Sequence, residues 1–329
     1  MIMNRSASLI FNPAAGQNDP EQDLAAIRAI LEPNIDLDIR FTTPEVGADT
    51  IAAEACAQGV SAIVVAGGDG TVSTAAAALV GTNTPIGVIP RGTANALASA
   101  LGLPDTIEAA CQTILGGATR LIDTAQCNGL PMVLLAGIGF QAETIKKANR
   151  QAKDRLGALA YLLAGLQEWR ELSSFEAEIE TEDKVISVTA SALTVANAAP
   201  PTSFLAQGPA GVIFDDGLLD LTVVAPTSRT GAIAASYHLI RTALNESAAT
   251  DRNDIGYLRA RRVIIRTNPL QNVVLDGEIV GTTPINVECV PGGLTIFVPL
   301  EAALPAPIEK LEGLPNLKIE SKPMKGFED

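Results

Sequence analysis

The sequence predicts an α/β first half on a doubly wound, mostly parallel sheet, followed by a β-rich second half with an antiparallel sheet or sandwich. Three observations carry this. Strand-like and helix-like segments alternate through residues 1–125, which means parallel strands with helices on both faces. From residue 175 onward strand signals dominate. Between residues 61 and 80 a short apolar run, Ser61-Ala62-Ile63-Val64-Val65-Ala66, stops in Gly67-Gly68-Asp69-Gly70-Thr71, and an Ala-rich, helix-prone stretch follows. That is strand, glycine loop, helix.

The elements follow in order. Residues 7–11 are an apolar strand. Over 21–31, Leu24, Ile27, Ile30 and Leu31 share one helical face. Ile35, Leu37, Ile39 and Phe41 alternate at the strand period, and 50–58 is Ala-rich and helical. Residues 62–66 form the next strand, 72–80 its helix, 86–89 a strand, 93–101 and 107–115 helices, and 119–123 leads into a strand. In the second half a strand over 132–140 precedes a long helix over 143–172. Strands are expected at 175–180, 185–195, 218–224, 263–266, 273–275, 285–290 and 294–298, interrupted by a helix at 231–244. The division expected is residues 1–126, residues 127–300, and a Pro-, Glu- and Lys-rich tail over 301–329, either loose or packed back on the first domain.

Composition narrows the classes. At 329 residues the chain is long enough for two domains. Hydrophobic residues at 47% and charged residues at 18% mean a globular protein. A net charge of −14 argues against a nucleic-acid partner. No apolar run is long enough to span a membrane, and residues 1–11 lack a signal-peptide layout. Cys56, Cys111, Cys127 and Cys289 are scattered without metal-ligand spacing, so reduced cytoplasmic thiols are expected. The single histidine, His238, is assigned no role.

The chemistry concentrates in glycine loops. The three glycines of 67–71 let backbone approach a ligand. The helix start behind them offers free N–H groups and a positive dipole end, which suits phosphate. Asp69 would repel phosphate directly, so it suggests Mg²⁺ or a water shell between them. The alternative is that Asp69-Gly70 only makes a hairpin turn, but the Ala-rich run that follows is a poor second strand. Asn12-Pro13-Ala14-Ala15-Gly16 is a turn after the first strand, and Pro90-Arg91-Gly92-Thr93-Ala94-Asn95 is a second glycine loop before a helix that Thr93 could cap. Asn12, Gly67 and Pro90 all begin loops at strand carboxyl ends, the edge where such sheets bind ligands. Asp276-Gly277-Glu278 reads by itself as a hairpin tip.

In this order, NPxxG, GGDGT and PxGTxN, followed by the Asp276 tip, resemble the soluble diacylglycerol-kinase-type lipid kinases of bacteria, relatives of the sphingosine and ceramide kinases. The resemblance spans residues 5–300. It implies a nucleotide-binding α/β domain, a β-rich second domain and an active site in the cleft between them, using ATP and Mg²⁺. By this resemblance Asn12, Gly67, Gly68, Asp69, Gly70, Thr71, Gly92, Thr93 and Asn95 line the nucleotide. Asp69 and Asp123 belong to the magnesium and water network. Asp276 is the general base, Glu278 its companion carboxylate, and Asp216 a ligand of a structural magnesium site, each aspartate having a plain turn as its alternative. The implied reaction is phosphoryl transfer from ATP to a lipid alcohol, foremost diacylglycerol, by a cytoplasmic enzyme lying peripherally at the inner membrane face. A homodimer is left open.

Three departures from the family pattern stand out. Ala96 replaces an aspartate after PxGTxN, Gln141 an acidic residue, and Pro200-Pro201-Thr202-Ser203-Phe204 a glycine-rich run. Two basic clusters could meet anionic lipid: Lys146, Lys147, Arg150, Lys153 and Arg155, and Arg259, Arg261, Arg262 and Arg266. Their alternative is a solvated helix face. The competing functions are a kinase for another lipid (a sphingoid base or ceramide), and a nucleotide- or lipid-binding regulator without turnover, motivated by Ala96. NAD kinase and phosphofructokinase share a GGDG-like loop, yet leave NPxxG and PxGTxN unexplained.

Overall fold

The computed structural model describes residues 6–139, 174–200, 212–225, 254–299, 311, 314 and 316–321. The helices expected over 143–172 and 231–244, the first basic cluster, Gln141, His238 and residues 201–204 lie outside them.

In the first half, β1 (Ser6–Phe11), β2 (Asp36–Phe41), β3 (Ala62–Gly67) and β4 (Ile86–Pro90) pair in parallel in the order β2-β1-β3-β4. All six residues of β3 are buried, as a central parallel strand covered on both faces requires. One face carries Ile10, Ile63, Val65, Ile86 and Val88 under α2 (Ala48–Ala57), α3 (Asp69–Leu79) and α4 (Ala96–Ala100). The other carries Leu9, Phe11, Val64, Ala66 and Ile89 under α1 (Pro20–Leu31) and α5 (Ile107–Gly116). Alternate residues of each strand thus feed opposite cores. Asp19 and Thr106 cap α1 and α5 through their side chains.

The second half is a sandwich. One sheet runs β12 (Ile255–Ala260), β11 (Leu219–Val224), β10 (Ala192–Ala196), β7 (Leu135–Ile138), β14 (Asn272–Leu275), β15 (Glu278–Thr282), antiparallel throughout. The other is continuous with the parallel sheet. β16 (Ile285–Phe297) meets β4 in parallel at Ile296 and Ile86, then pairs antiparallel with β5 (Thr119–Cys127) and β13 (Arg262–Asn268). β8 (Phe175–Glu180), β9 (Lys184–Ala190) and β17 (Lys318–Ser321) extend it, while β6 (Leu130–Met132) pairs with β5. Residues 318–321 therefore pair with β9 of the second half, and Leu314 packs into the core between its two sheets. These parts of the tail do not return to the first domain.

Candidate active site

Three loops leave the carboxyl ends of β1, β3 and β4 and interlock. Asn12 is the brace. Its Oδ1 accepts the Ala14 N–H at 2.9 Å, closing the Asn-Pro turn, and its Nδ2 donates to Thr71 Oγ1 at 2.8 Å. At the end of β3 the chain enters α3 at once, with Gly68 as N-cap and Asp69 in the first turn. The helix begins three residues earlier than the pattern suggested, so Asp69, Gly70 and Thr71 are its first turn rather than a loop before it. Their N–H groups lack i−4 partners within the helix.

The two glycine loops lie back to back. A Cβ on Gly92 would stand 2.8 Å from Gly68 Cα and 2.9 Å from Asn95 Oδ1. Asn95 closes the second loop with both ends of its amide: Oδ1 accepts the Gly92 N–H at 2.8 Å and Nδ2 donates to the Gly92 carbonyl at 3.0 Å. Asn95 is left-handed (φ 47°) and is the N-cap of α4, which starts at Ala96, three residues beyond Thr93. The side chain that caps α4 is therefore not that of Thr93, which is exposed, but the Asp69 carboxylate. It accepts the Asn95 N–H at 3.1 Å and the Ala96 N–H in a close contact. Burial pushes the Asp69 pKa up, and those N–H bonds pull against it.

Arg91, which pattern reading passed over, ties the second glycine loop to the end of β1 and to α1. Its Nε meets Asp23 Oδ2 at 2.9 Å, its Nη1 the Asn12 carbonyl at 2.6 Å, and its guanidinium stands 4.3 Å from the Phe11 ring centroid. Its only mark in the sequence is an arginine inside the Pro90–Asn95 glycine loop.

On the second half, Asp276 occupies the tip of the β14–β15 hairpin with φ 47°, followed by Gly277 with φ 95°. Its carboxylate accepts three backbone N–H groups: Val133 at 2.8 Å on Oδ2, Leu134 and Leu135 at 2.9 Å on Oδ1. This cradle breaks the strand expected over 132–140 into β6 and β7. Burial raises the Asp276 pKa, and the three N–H bonds oppose the rise. Glu278 is exposed on the edge strand β15. Asn197, also unanticipated, ties the cradle to its surroundings. Fully buried, it donates through Nδ2 to the carbonyls of Val133 (2.9 Å) and Asp123 (2.8 Å).

Asp123 is buried, and its carboxylate accepts the Gly217 N–H at 2.6 Å and the Gly292 N–H at 2.8 Å. Asp216 is ion-paired with Arg259. The structure thus brings Asn12, 67–71 and 92–95 into one patch. It ties Asp276 to Asp123 through Asn197, and Asp123 to the Asp216 turn through Gly217. No cluster of three or more His, Cys, Asp or Glu side chains able to hold a metal exists among the described residues. Asp69, accepting one N–H on each oxygen, keeps a lone pair on each, enough for a magnesium ion that arrives on nucleotide phosphates and needs one or two carboxylates. Two of the four arginines in the second basic cluster are neutralised. Arg259 pairs with Asp216 and Asp220, and Arg266 with Glu178 and Glu180 at 3.0 Å.

Phosphate-ready glycine loops on the carboxyl edge of a parallel sheet, with a desolvated carboxylate carried by a second half, are the parts of a phosphotransferase. The model of the diacylglycerol kinase catalytic domain matches residues 6–127, and that of the YegS C-terminal NAD kinase beta sandwich-like domain matches residues 135–298. The chain belongs to this lipid kinase family. It is 46% identical to the uncharacterized protein sll0036 of Synechocystis over 90% of this chain and 71% of that one. It is 30% identical to the diacylglycerol kinase of Bacillus subtilis, over 85% of this chain and 92% of the other. A crystal structure of a diacylglycerol kinase from Bacillus anthracis superposes with a TM-score of 0.72 at 27% identity, covering 90% and 97% of the two chains.

Proposed function

We propose that this lipid kinase transfers the γ-phosphoryl group of ATP to the hydroxyl of diacylglycerol, giving phosphatidate, at the cytoplasmic surface of the membrane. The observation that carries the catalytic assignment is Asp276, half-buried at a hairpin tip and held by three N–H bonds. The lipid hydroxyl oxygen forms a bond to the γ-phosphorus, the bond from that phosphorus to the β–γ bridging oxygen breaks, ADP leaves, and Asp276 takes the hydroxyl proton. The free N–H groups of the first turn of α3 bind and orient the phosphates. Asp69 would hold Mg²⁺ arriving with the nucleotide, which when bound would supply charge neutralisation. Asn12 and Asn95 hold the loops in register.

Ala96 does not favour the regulator reading. Its side chain is 1% exposed, within the core under α3 and α4, while its N–H remains bonded to Asp69. An aspartate there would enter apolar packing. No helix among the described residues is long and apolar enough to cross a membrane.

The test is labelled-phosphate transfer from Mg·ATP to a panel of lipids in mixed micelles, beside Asp276→Asn. The expected result is label on diacylglycerol, with turnover falling by about 10²–10⁴ in the variant and ATP binding retained. Label on a sphingoid base or ceramide instead would replace the substrate. ATP bound without label on any acceptor would overturn the enzyme reading.

A further inference from the structure

Family resemblance places a structural magnesium ion at Asp216, and the side chains present there do not suit one. β11 and β12 register Asp220 directly opposite Arg259. The Arg259 guanidinium reaches both acids of this corner, Nη2 in a close pair with Asp216 Oδ2 and Nε at 3.2 Å from Asp220 Oδ1. The arginine side chain is 8% exposed, Asp220 10% and Asp216 27%.

The other acids of the turn also have protein partners. Asp215 is paired with Arg120, whose Nε lies 2.7 Å from Asp215 Oδ2 and whose guanidinium stacks 4.9 Å from the Phe214 ring centroid. Asp123 holds the N–H groups of Gly217 and Gly292. Magnesium keeps several waters and needs only one or two carboxylates, so what excludes it here is charge: the Arg259 guanidinium already occupies the place between Asp216 and Asp220. Any such ion between Asp216 and Asp220 would stand against the guanidinium charge at short range.

We infer that Arg259 takes the place of the structural metal: its guanidinium is the resident cation joining Asp216 to Asp220, and this corner holds together without a divalent ion. Arginine suits the role. Its planar fork can serve two carboxylates at once, and it keeps its charge at any pH the protein survives. The magnesium requirement of the chain is then confined to the nucleotide. The inference concerns folding, so failure of the kinase reading would leave it standing.

The test is thermal unfolding of the full chain without nucleotide, in chelator and then in millimolar Mg²⁺ or Ca²⁺, for wild type and Asp216→Asn. The quantity read is the ion-induced rise in Tm of wild type minus that of Asp216→Asn. A difference of zero is expected, and a positive difference overturns the inference. Arg259→Met keeps the length of the side chain and removes its charge. Its Tm is expected to fall on the order of 5–10 °C and to recover partly with either ion. A folded Arg259→Met that ignores both ions overturns the claim of replacement. Should Arg259→Met fail to fold, Arg259→Lys, a point charge able to serve one carboxylate, is expected to melt earlier than wild type yet without ion dependence. An ion-induced rise in Arg259→Lys that Asp216→Asn removes would count against the inference.

Discussion

Asp69 and Asp276 look alike in sequence, each an aspartate before a glycine, each pushed up by burial and held by backbone N–H groups. They differ in where those N–H groups come from. Asp69 draws on residues 26 and 27 positions away, within its own half. Asp276 draws on residues 141 to 143 positions away. Asp69 is a clamp between neighbouring loops, and the precision of its surroundings comes from glycine against glycine. Asp276 is an acid delivered from afar, and its precision comes from a polar cradle that must be assembled by packing. The nucleotide side should therefore break through added volume, and the Asp276 side through lost hydrogen bonds.

The largest expected effect on that contrast is Gly92→Ala. The new methyl has no room between Gly68 Cα and the Asn95 amide, and backbone cannot swing aside as a long side chain can. The loops must part by a few tenths of an ångström or more. A misplacement approaching 1 Å costs on the order of 10² in rate. KM for ATP should rise with it, while KM for lipid stays close to wild type. Steady-state kinetics in both substrates checks this. An unchanged KM for ATP would mean that the back-to-back glycines do not set the nucleotide loops.

The same contrast explains what could be read from sequence. The first half was legible because its signals are local: period, glycine, and a helix start in one run of residues. The second half was legible only as rich in strands, since its decisive contacts are distant. The strand expected over 185–195 is two strands, because at Ser191 the chain passes from the sheet of β9 to that of β10 with no change in period to mark it. Val290-Pro291-Gly292-Gly293 reads as a turn between two strands, yet β16 runs through it as an irregularity. There Gly292 is left-handed and donates to Asp123, and Gly293 packs so tightly on Thr124 that a Cβ would overlap its Oγ1. β12 went unseen because Arg259 argues against a buried strand until Asp216 and Asp220 neutralise it. Asn12, the 67–71 loop and Asn95 were singled out by motif order, and they meet in one patch. Arg91 and Asn197 were not singled out, since each matters only through partners on other loops.

A smaller effect sharpens the Asp276 side. Asn197→Ala leaves the carbonyls of Val133 and Asp123 without their donor, at a cost of about 1–3 kcal/mol for the buried groups. It also loosens the segment that supplies three N–H bonds to Asp276. Those bonds hold the Asp276 pKa down against burial. Weakening them raises it further, so the proton is retained to higher pH. A general base works only when deprotonated, so the acid limb of the kcat profile should move to higher pH. Cys127 does not complicate the reading, because burial and Asp276 hold its pKa at about 11 and it stays a thiol. If kcat falls with no displacement of that limb, Asn197 is a brace for the fold alone.

The smallest expected effect is at Gly70. A Cβ there meets nothing within 4 Å, and the residue lies in the first turn of α3. Replacing glycine by alanine at an unstrained helical position usually stabilises by roughly 0.5–1 kcal/mol, so Tm should rise slightly in Gly70→Ala. Nothing among the described residues gives a reason for glycine at this place. If phosphate approaches the N–H groups of that turn, the methyl obstructs it, and ATP affinity should fall even as Tm rises. Opposite signs for stability and affinity would mark Gly70 as a position shaped by its ligand rather than by packing, the reverse of Gly92. Equal ATP affinity in Gly70→Ala and wild type would move the phosphates away from this turn and toward the second loop.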